Sequence, residues 1–364
     1  MWQFQNPVKV LFGNGALEEI GTILQGRCYA IVTYNNSYFD ELAEVIQKSA
    51  EGCAVVLNQV HENPDLMDLP EICEAFKPYM GQVEIFVALG GGSVIDTTKA
   101  LAVALDDPKR IEAVLKNGAI VEKALPIIAI PTTTGTGSEV TSWATIWDKA
   151  NNSKFSLNDP KLYAVAALCD HLLTLKLPVS LTVQTGLDAL SHAMESIWNR
   201  NANPLSLQYA TVAIRSILEV LPALTRDPEN IELREKMMFA SMNAGFAFSN
   251  TKTSIAHNIS YAVTLNKGVA HGIACSFTLP TILGSFANSD CSIANNLRSI
   301  FGEDLTQASK ELSAWIESLG IKTAPKDYGY ESDHWTQLII DALGGERGKN
   351  FSGNTDQLIQ SFKF

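Results

Sequence analysis

The hydrophobic pattern of this 364-residue chain changes period once, near Pro178. Before that point, short apolar runs alternate with amphipathic stretches. CYAIVT (Cys28 to Thr33), CAVVLNQV, VEIFVALGGGS and LPIIAIPTTTGTGS read as strands, while FDELAEVIQKSA and LPEICEAFKPYM read as helices. Such alternation predicts a parallel sheet with helices on both faces. After Pro178, apolar residues recur at helical spacing in LTVQTGLDALSHAMESIWN, LSLQYATVAIRSILEVLPAL and IELREKMMFASMNAGFAFSN. Further helices are expected near Ser292 to Ile300, Leu305 to Leu319 and His334 to Leu343, with no strand among them. The expectation is an α/β domain over residues 1–178 and an all-α domain over residues 179–364.

Composition narrows the function. The hydrophobic share is 46% and the charged share 18%, which suits a globular protein with a large core. A formal charge of −12 argues against a nucleic-acid partner, because phosphate contacts need a basic surface. The six cysteines form no CxxC pair and most sit among apolar neighbours, so they are expected to be free thiols in a reducing compartment. The N-terminal text lacks a basic segment followed by an apolar run. No apolar stretch approaches the roughly 20 residues that span a bilayer. A cytoplasmic protein without a membrane partner is the expectation.

Two loops carry the signs of a nucleotide site. GGGSVIDTTKA, Gly90 to Ala100, follows an apolar strand and opens a helix. Glycines admit a ligand close to the backbone, free N–H groups at a helix start bind phosphate, and Ser93 is suited to cap that helix. It is not the GxGxxG fingerprint. PTTTGTGSEVTS, Pro131 to Ser142, follows another strand and offers short hydroxyl groups. Open α/β sheets place ligands at the ends of such strands, so together the two loops predict a dinucleotide.

A third pattern points to a metal. Asp188 and His192 share one helix face at i and i+4. His257 lies among apolar residues and His271 precedes a glycine. One carboxylate with three imidazoles suits Fe²⁺, Zn²⁺ or a similar divalent ion.

Taken as an ordered set, GGGSVIDTTK, PTTTGTGSEVT, LPVSLTVQTGLDALSHAMES and AGFAFSNTKTSIAHNISYAV followed by HG and LP resemble the iron-containing (group III) alcohol dehydrogenases over nearly the full chain. The resemblance implies the fold shared with dehydroquinate synthase, a dinucleotide-binding domain followed by a helical metal-binding domain. It implies NAD or NADP with Fe²⁺ or another divalent ion as cofactors. It maps the metal ligands to Asp188, His192, His257 and His271, and the pyrophosphate site to Gly91, Gly92 and Ser93. It places Asn63, Thr132, Thr133, Thr136, Thr141 and Lys154 near the cofactor. It also implies a small alcohol or aldehyde as substrate and, from FQNPVKVLFGNG, a homodimer.

Three departures refine this expectation. Tyr34 stands where family members often carry an aspartate that contacts the adenosine ribose, so NADP is admissible beside NAD. Tyr261 stands where many members have a histidine that assists proton transfer, and could relay a proton in its place. The segment SNTKTSIAH is more polar than the family's SNAxLGxxH and adds Lys252. With Ser260 to Thr264 it resembles the phosphonoacetaldehyde reductase subgroup, which implies a short aldehyde with an anionic head held by Lys252. A general short-chain primary alcohol dehydrogenase and a dehydroquinate-synthase-like lyase are the alternatives. The second half is poor in arginine, which disfavours a lyase acting on a carboxylated ring.

Overall fold

The computed structural model describes residues 1–151 and 153–363. The chain divides into two compact units, Asn6–Lys176 and Leu177–Phe364, the latter including Met1–Gln5.

The first unit is built on eight strands: β1 (Lys9–Phe12), β2 (Tyr29–Val32), β3 (Cys53–Leu57), β4 (Ile85–Gly90), β5 (Ile127–Pro131), β6 (Trp143–Asp148), β7 (Ser153–Asn158) and β8 (Ala166–Cys169). Six of them form a parallel sheet in the order β1-β8-β5-β4-β2-β3. Side chains alternate across it, as the pleat requires. Ile85, Val87 and Leu89 join Tyr29 and Ile31 in one core, while Phe86 and Ala88 join Ala30 and Val32 in the other. Strands β3 and β4 flank β2 on opposite sides, so the strand order reverses beside β4. That reversal is where an open α/β sheet leaves a crevice for ligand. The hairpin β6–β7, the edge strand β1 and its neighbour β8 carry no strand signal in the sequence. They are short or half-buried, and their partners are set by tertiary pairing.

The second unit is helical, and among the described residues no strand follows Lys176. Helices Val179–Ile197, Pro204–Arg226 and Ile231–Thr251 share one core. Asn203 starts the second of these with a capping box. Its side chain accepts from the Leu205 and Ser206 amides, and the Ser206 hydroxyl in turn accepts from the Asn203 backbone amide. Helix Pro204–Arg226 is long and apolar enough to cross a membrane by length and composition alone. This departs from the expectation that no run approaches that length. Its Ala210, Ala213, Ile214, Ile217 and Leu221 are buried in the helical core.

Candidate active site

Asp188 and His192 lie one turn apart on helix Val179–Ile197, both buried. His257 is the third residue of helix Ile255–Lys267, and His271 opens helix His271–Ser276. The fold brings the four together. His257 Nε2 lies 3.5 Å and His271 Nε2 3.9 Å from Asp188 Oδ1. The His192 ring stacks against His257 with centroids 4.5 Å apart, and against Phe248 at 4.0 Å. A fifth side chain, Cys275, also enters the cluster. One donor atom each from Asp188, His257, His271 and Cys275 fall within 4.8 Å of one another. Gly272 permits this approach. A Cβ there would stand 2.0 Å from the Gln184 carbonyl oxygen and 3.2 Å from Asp188 Cβ. Only glycine lets the His271 turn rest on the backbone of the Asp188 helix.

Asp188 Oδ1 and His257 Nε2 are buried and make no hydrogen bond of good geometry, facing each other only as a 3.5 Å ion pair. Leaving such groups unsatisfied costs about 1–3 kcal/mol each. A cation between them removes that cost, and a carboxylate with imidazoles is a donor set for a first-row divalent ion. The residues therefore fit a metal. Burial alone would raise the Asp188 carboxyl, but the imidazoles of His192, His257 and His271 outweigh it and hold the group well below the usual carboxylate range. Burial alone would lower His257, but Cys275, Glu195 and Asp188 more than reverse it, so the ring holds its proton well above the ordinary histidine range. A metal must displace that proton. Apparent Zn²⁺ affinity of the metal-free protein is expected to rise with pH, by roughly tenfold per pH unit for each proton the metal displaces. Calorimetric titration at several pH values measures this, and a flat profile would contradict it.

Glu195 organises the cluster from behind. It lies seven residues after Asp188 on the same helix and is fully buried. Its carboxylate accepts from the amides of Ser254 (2.7 Å), Ala256 (2.5 Å) and His257 (3.2 Å) and pairs with His257 Nδ1 at 2.7 Å. One group thus caps the otherwise unpaired first-turn amides of helix Ile255–Lys267 and fixes the His257 tautomer that aims Nε2 at the cluster. No local pattern in the sequence marks Glu195 for this role.

In the first unit, β4 runs through Gly90 and Gly91 into helix Gly92–Ala104. The N-cap is Gly91 rather than Ser93, and no side chain caps it. The first-turn amides stay available to an anion. The Ser93 hydroxyl instead accepts from the Asn63 amide at 3.2 Å. The second loop packs directly on the first. A Cβ on Gly91 would stand 3.0 Å from the Thr133 side chain, and one on Gly92 2.5 Å from that of Thr136. The Thr132 amide donates to the Gly90 carbonyl at 3.1 Å. Asn63, Gly91, Gly92, Ser93, Thr132, Thr133 and Thr136 are thereby gathered at the end of β4. Thr141 turns its hydroxyl toward Lys99 Nζ, 3.4 Å away, and Lys154 lies over the Trp147 ring. Tyr34 packs against Phe39 with centroids 5.2 Å apart.

Lys99 and Asp96, both within GGGSVIDTTK, hold the second loop in place. Lys99 is fully buried and donates to the Ser138 carbonyl (2.7 Å), the Ser138 hydroxyl (2.9 Å) and the Trp143 carbonyl (2.7 Å). Asp96 accepts from the same Ser138 hydroxyl at 2.6 Å and from the Thr145 amide at 2.8 Å. Burial brings Lys99 down to about 8 against the pull of Asp96 and Glu139.

Both units have counterparts among known proteins. Residues 7–171 match the profile described as iron-containing alcohol dehydrogenase, and residues 182–361 match the C-terminal profile of the Fe-containing alcohol dehydrogenases. The chain belongs to the iron-containing alcohol dehydrogenase family. It is 31% identical over 349 residues to the NAD-dependent methanol dehydrogenase of Bacillus methanolicus, covering 92% of this chain and 89% of that protein. It is 34% identical over 201 residues to the sulfoacetaldehyde reductase of Bilophila wadsworthia, covering 55% and 52% of the two chains. The crystal structure of sulfoacetaldehyde reductase from Bifidobacterium kashiwanohense in complex with NAD⁺ superposes with a TM-score of 0.91 at 28% identity, covering 100% of this chain and 98% of that one. The family, the fold class and the oxidoreductase class agree with the sequence-based expectation.

Within this iron-containing alcohol dehydrogenase, the segment around Lys252 is held rigidly. Asn201 donates to the Thr251 carbonyl (3.1 Å), Asn199 to that of Lys252 (3.0 Å) and Asn350 to that of Thr253 (2.9 Å). Lys252 itself adopts φ 68°, a left-handed backbone that costs a lysine about 1–3 kcal/mol. Five residues later comes His257. The Tyr261 ring lies parallel to that of His271, centroids 6.4 Å apart. The three asparagines were not singled out from the sequence, because a carboxamide that pins a distant carbonyl leaves no local pattern.

Proposed function

We propose that the chain reduces a short aldehyde bearing an anionic head group, with NAD(P)H and a divalent metal. The observation that carries this reading is the shared anchor Glu195. The same carboxylate binds Ser254, which ends the polar Lys252 segment, and His257 in the metal cluster. A substrate anion held at that segment is thus in fixed register with the metal donors.

Asp188, His192, His257 and His271 would hold the ion. Gly91, Gly92 and Ser93 would hold the cofactor pyrophosphate, with Asn63, Thr132, Thr133, Thr136, Thr141 and Lys154 around the rest. When bound, the ion supplies an electrophile for the carbonyl oxygen and the nicotinamide supplies the hydride. Tyr261, alongside His271, is the candidate to pass a proton to the product. Lys252 would pair with the head group, and its pinned backbone lowers the ordering cost of that contact. Phosphonoacetaldehyde is the specific candidate. The sulfoacetaldehyde reductases among the relatives support an anionic aldehyde. A homodimer belongs to the same proposal.

A second reading, a short neutral alcohol, is favoured by the methanol dehydrogenase match over 92% of the chain. One variant separates the two. Lys252→Ala removes a charged hydrogen bond of about 1.5–3 kcal/mol, so KM for phosphonoacetaldehyde should rise roughly 10- to 100-fold while that for propanal stays within about twofold. Equal effects on both aldehydes would remove Lys252 from the substrate site.

A further inference from the structure

We infer that Cys275 is a sulfur ligand of the metal, additional to the carboxylate and imidazole donors. This rests on the metal reading above and extends it to the coordination chemistry of this chain.

The geometry is one of two facing donor pairs. Asp188 and His192 stand at i and i+4 on one helix. His271 and Cys275 stand at i and i+4 on helix His271–Ser276, and Gly272 seats that helix directly on the first. Residues four apart share a face, so His271 and Cys275 both reach the Asp188 side of the facing helix, where the His192 ring stacks on His257. Cys275 Sγ lies 3.6 Å from His271 Nε2 and falls within the 4.8 Å cluster formed with Asp188 and His257. Asp188 Oδ1 and His257 Nε2, buried and 3.5 Å apart with no hydrogen bond of good geometry, belong to the same cluster. A cation that satisfies those two atoms has the sulfur within reach. Cys275 is itself fully buried, which removes it from disulfide exchange with solvent thiols.

On binding, a metal–sulfur bond forms, the thiol S–H bond breaks, and the proton leaves to solvent with no change of oxidation state. Two consequences follow. Thiolate is a softer donor than carboxylate or imidazole, so the site favours Zn²⁺ or Co²⁺ more than an all-oxygen-and-nitrogen site would. With Asp188 and a thiolate both bound, the formal charge on a divalent ion falls to zero. Five protein donors still leave one position of an octahedral ion open to substrate.

Cobalt separates this inference from the reading beneath it. The full-length protein, stripped by chelator and loaded with Co²⁺, should show visible ligand-field bands and also a near-ultraviolet sulfur-to-cobalt charge-transfer band. Cys275→Ser should keep the former and lose the latter. X-ray absorption of the Zn²⁺-loaded unsubstituted protein should show one sulfur at about 2.3 Å, a result that needs no variant to fold. Ligand-field bands without charge transfer, or a charge-transfer band that survives Cys275→Ser, would overturn the sulfur ligand and leave the metal site standing. Failure to bind stoichiometric Co²⁺ at all would overturn both.

Discussion

Glu195→Ala is expected to abolish stoichiometric metal binding and to lower the unfolding free energy by about 3–5 kcal/mol. Both effects have one cause. The substitution leaves the buried amides of Ser254, Ala256 and His257 without an acceptor, and frees His257 Nδ1 from the partner that fixes its tautomer. Helix Ile255–Lys267 loses its N-terminal carboxylate together with its alignment to Asp188. Glu195→Gln keeps the volume and one acceptor oxygen, so it should fold better but bind metal roughly 10- to 100-fold more weakly, the usual cost of losing a carboxylate behind a histidine ligand. Metal analysis after dialysis and denaturant unfolding measure both quantities. Full metal content in Glu195→Ala would mean that His257 is oriented by something else.

Lys99→Met is expected to have a comparable effect in the other unit, destabilising it by about 3–5 kcal/mol and weakening NADH binding by tenfold or more. Methionine fills the volume but donates nothing. The carbonyls of Ser138 and Trp143 then lose their donor, and the half-buried Asp96 carboxylate loses the nearer of the two cations that oppose its desolvation. The loop that places Thr133 and Thr136 against Gly91 and Gly92 loses its anchor at Ser138. Asp96→Asn in the Lys99→Met background should recover part of the stability, because the unpaired charge is gone. It should not recover NADH affinity, because the loop remains unanchored. Calorimetric NADH titration and thermal unfolding of the single and double variants report the two effects separately. Unaltered NADH affinity in Lys99→Met would detach this hub from the nucleotide loop.

The parts legible in the sequence are those whose signal is local. A strand that runs into GGGS and then a helix announces itself within about ten residues, and an Asp and His at i and i+4 announce a shared face. The hubs are not local. Glu195 finds its partners 59 to 62 residues downstream, so in the sequence it is one more polar residue within an apolar helix. Lys99 has the spacing of a solvated helix residue, yet its acceptors lie 39 to 44 residues ahead, in the second loop and at the start of β6. In the sequence Cys275 is one free thiol among apolar neighbours, and only the folded helix pair brings it beside Asp188, His257 and His271. The edge pair β1 and β8 joins the start of the first unit to its end, a parallel pairing that no hydrophobic period encodes. In each case the missing information is which distant group satisfies a buried polar atom.

The most direct measurement follows NADH or NADPH consumption by Fe²⁺-loaded protein with phosphonoacetaldehyde, sulfoacetaldehyde and propanal, before and after chelation. Turnover should require the metal, and kcat/KM should favour the two anionic aldehydes over propanal by tenfold or more, the worth of one charge-assisted contact of about 1.5–3 kcal/mol. Metal-dependent turnover with no preference for the anionic aldehydes would contradict the role given to the Lys252 segment. No turnover with any of the three, at full metal occupancy, would contradict the reductase itself.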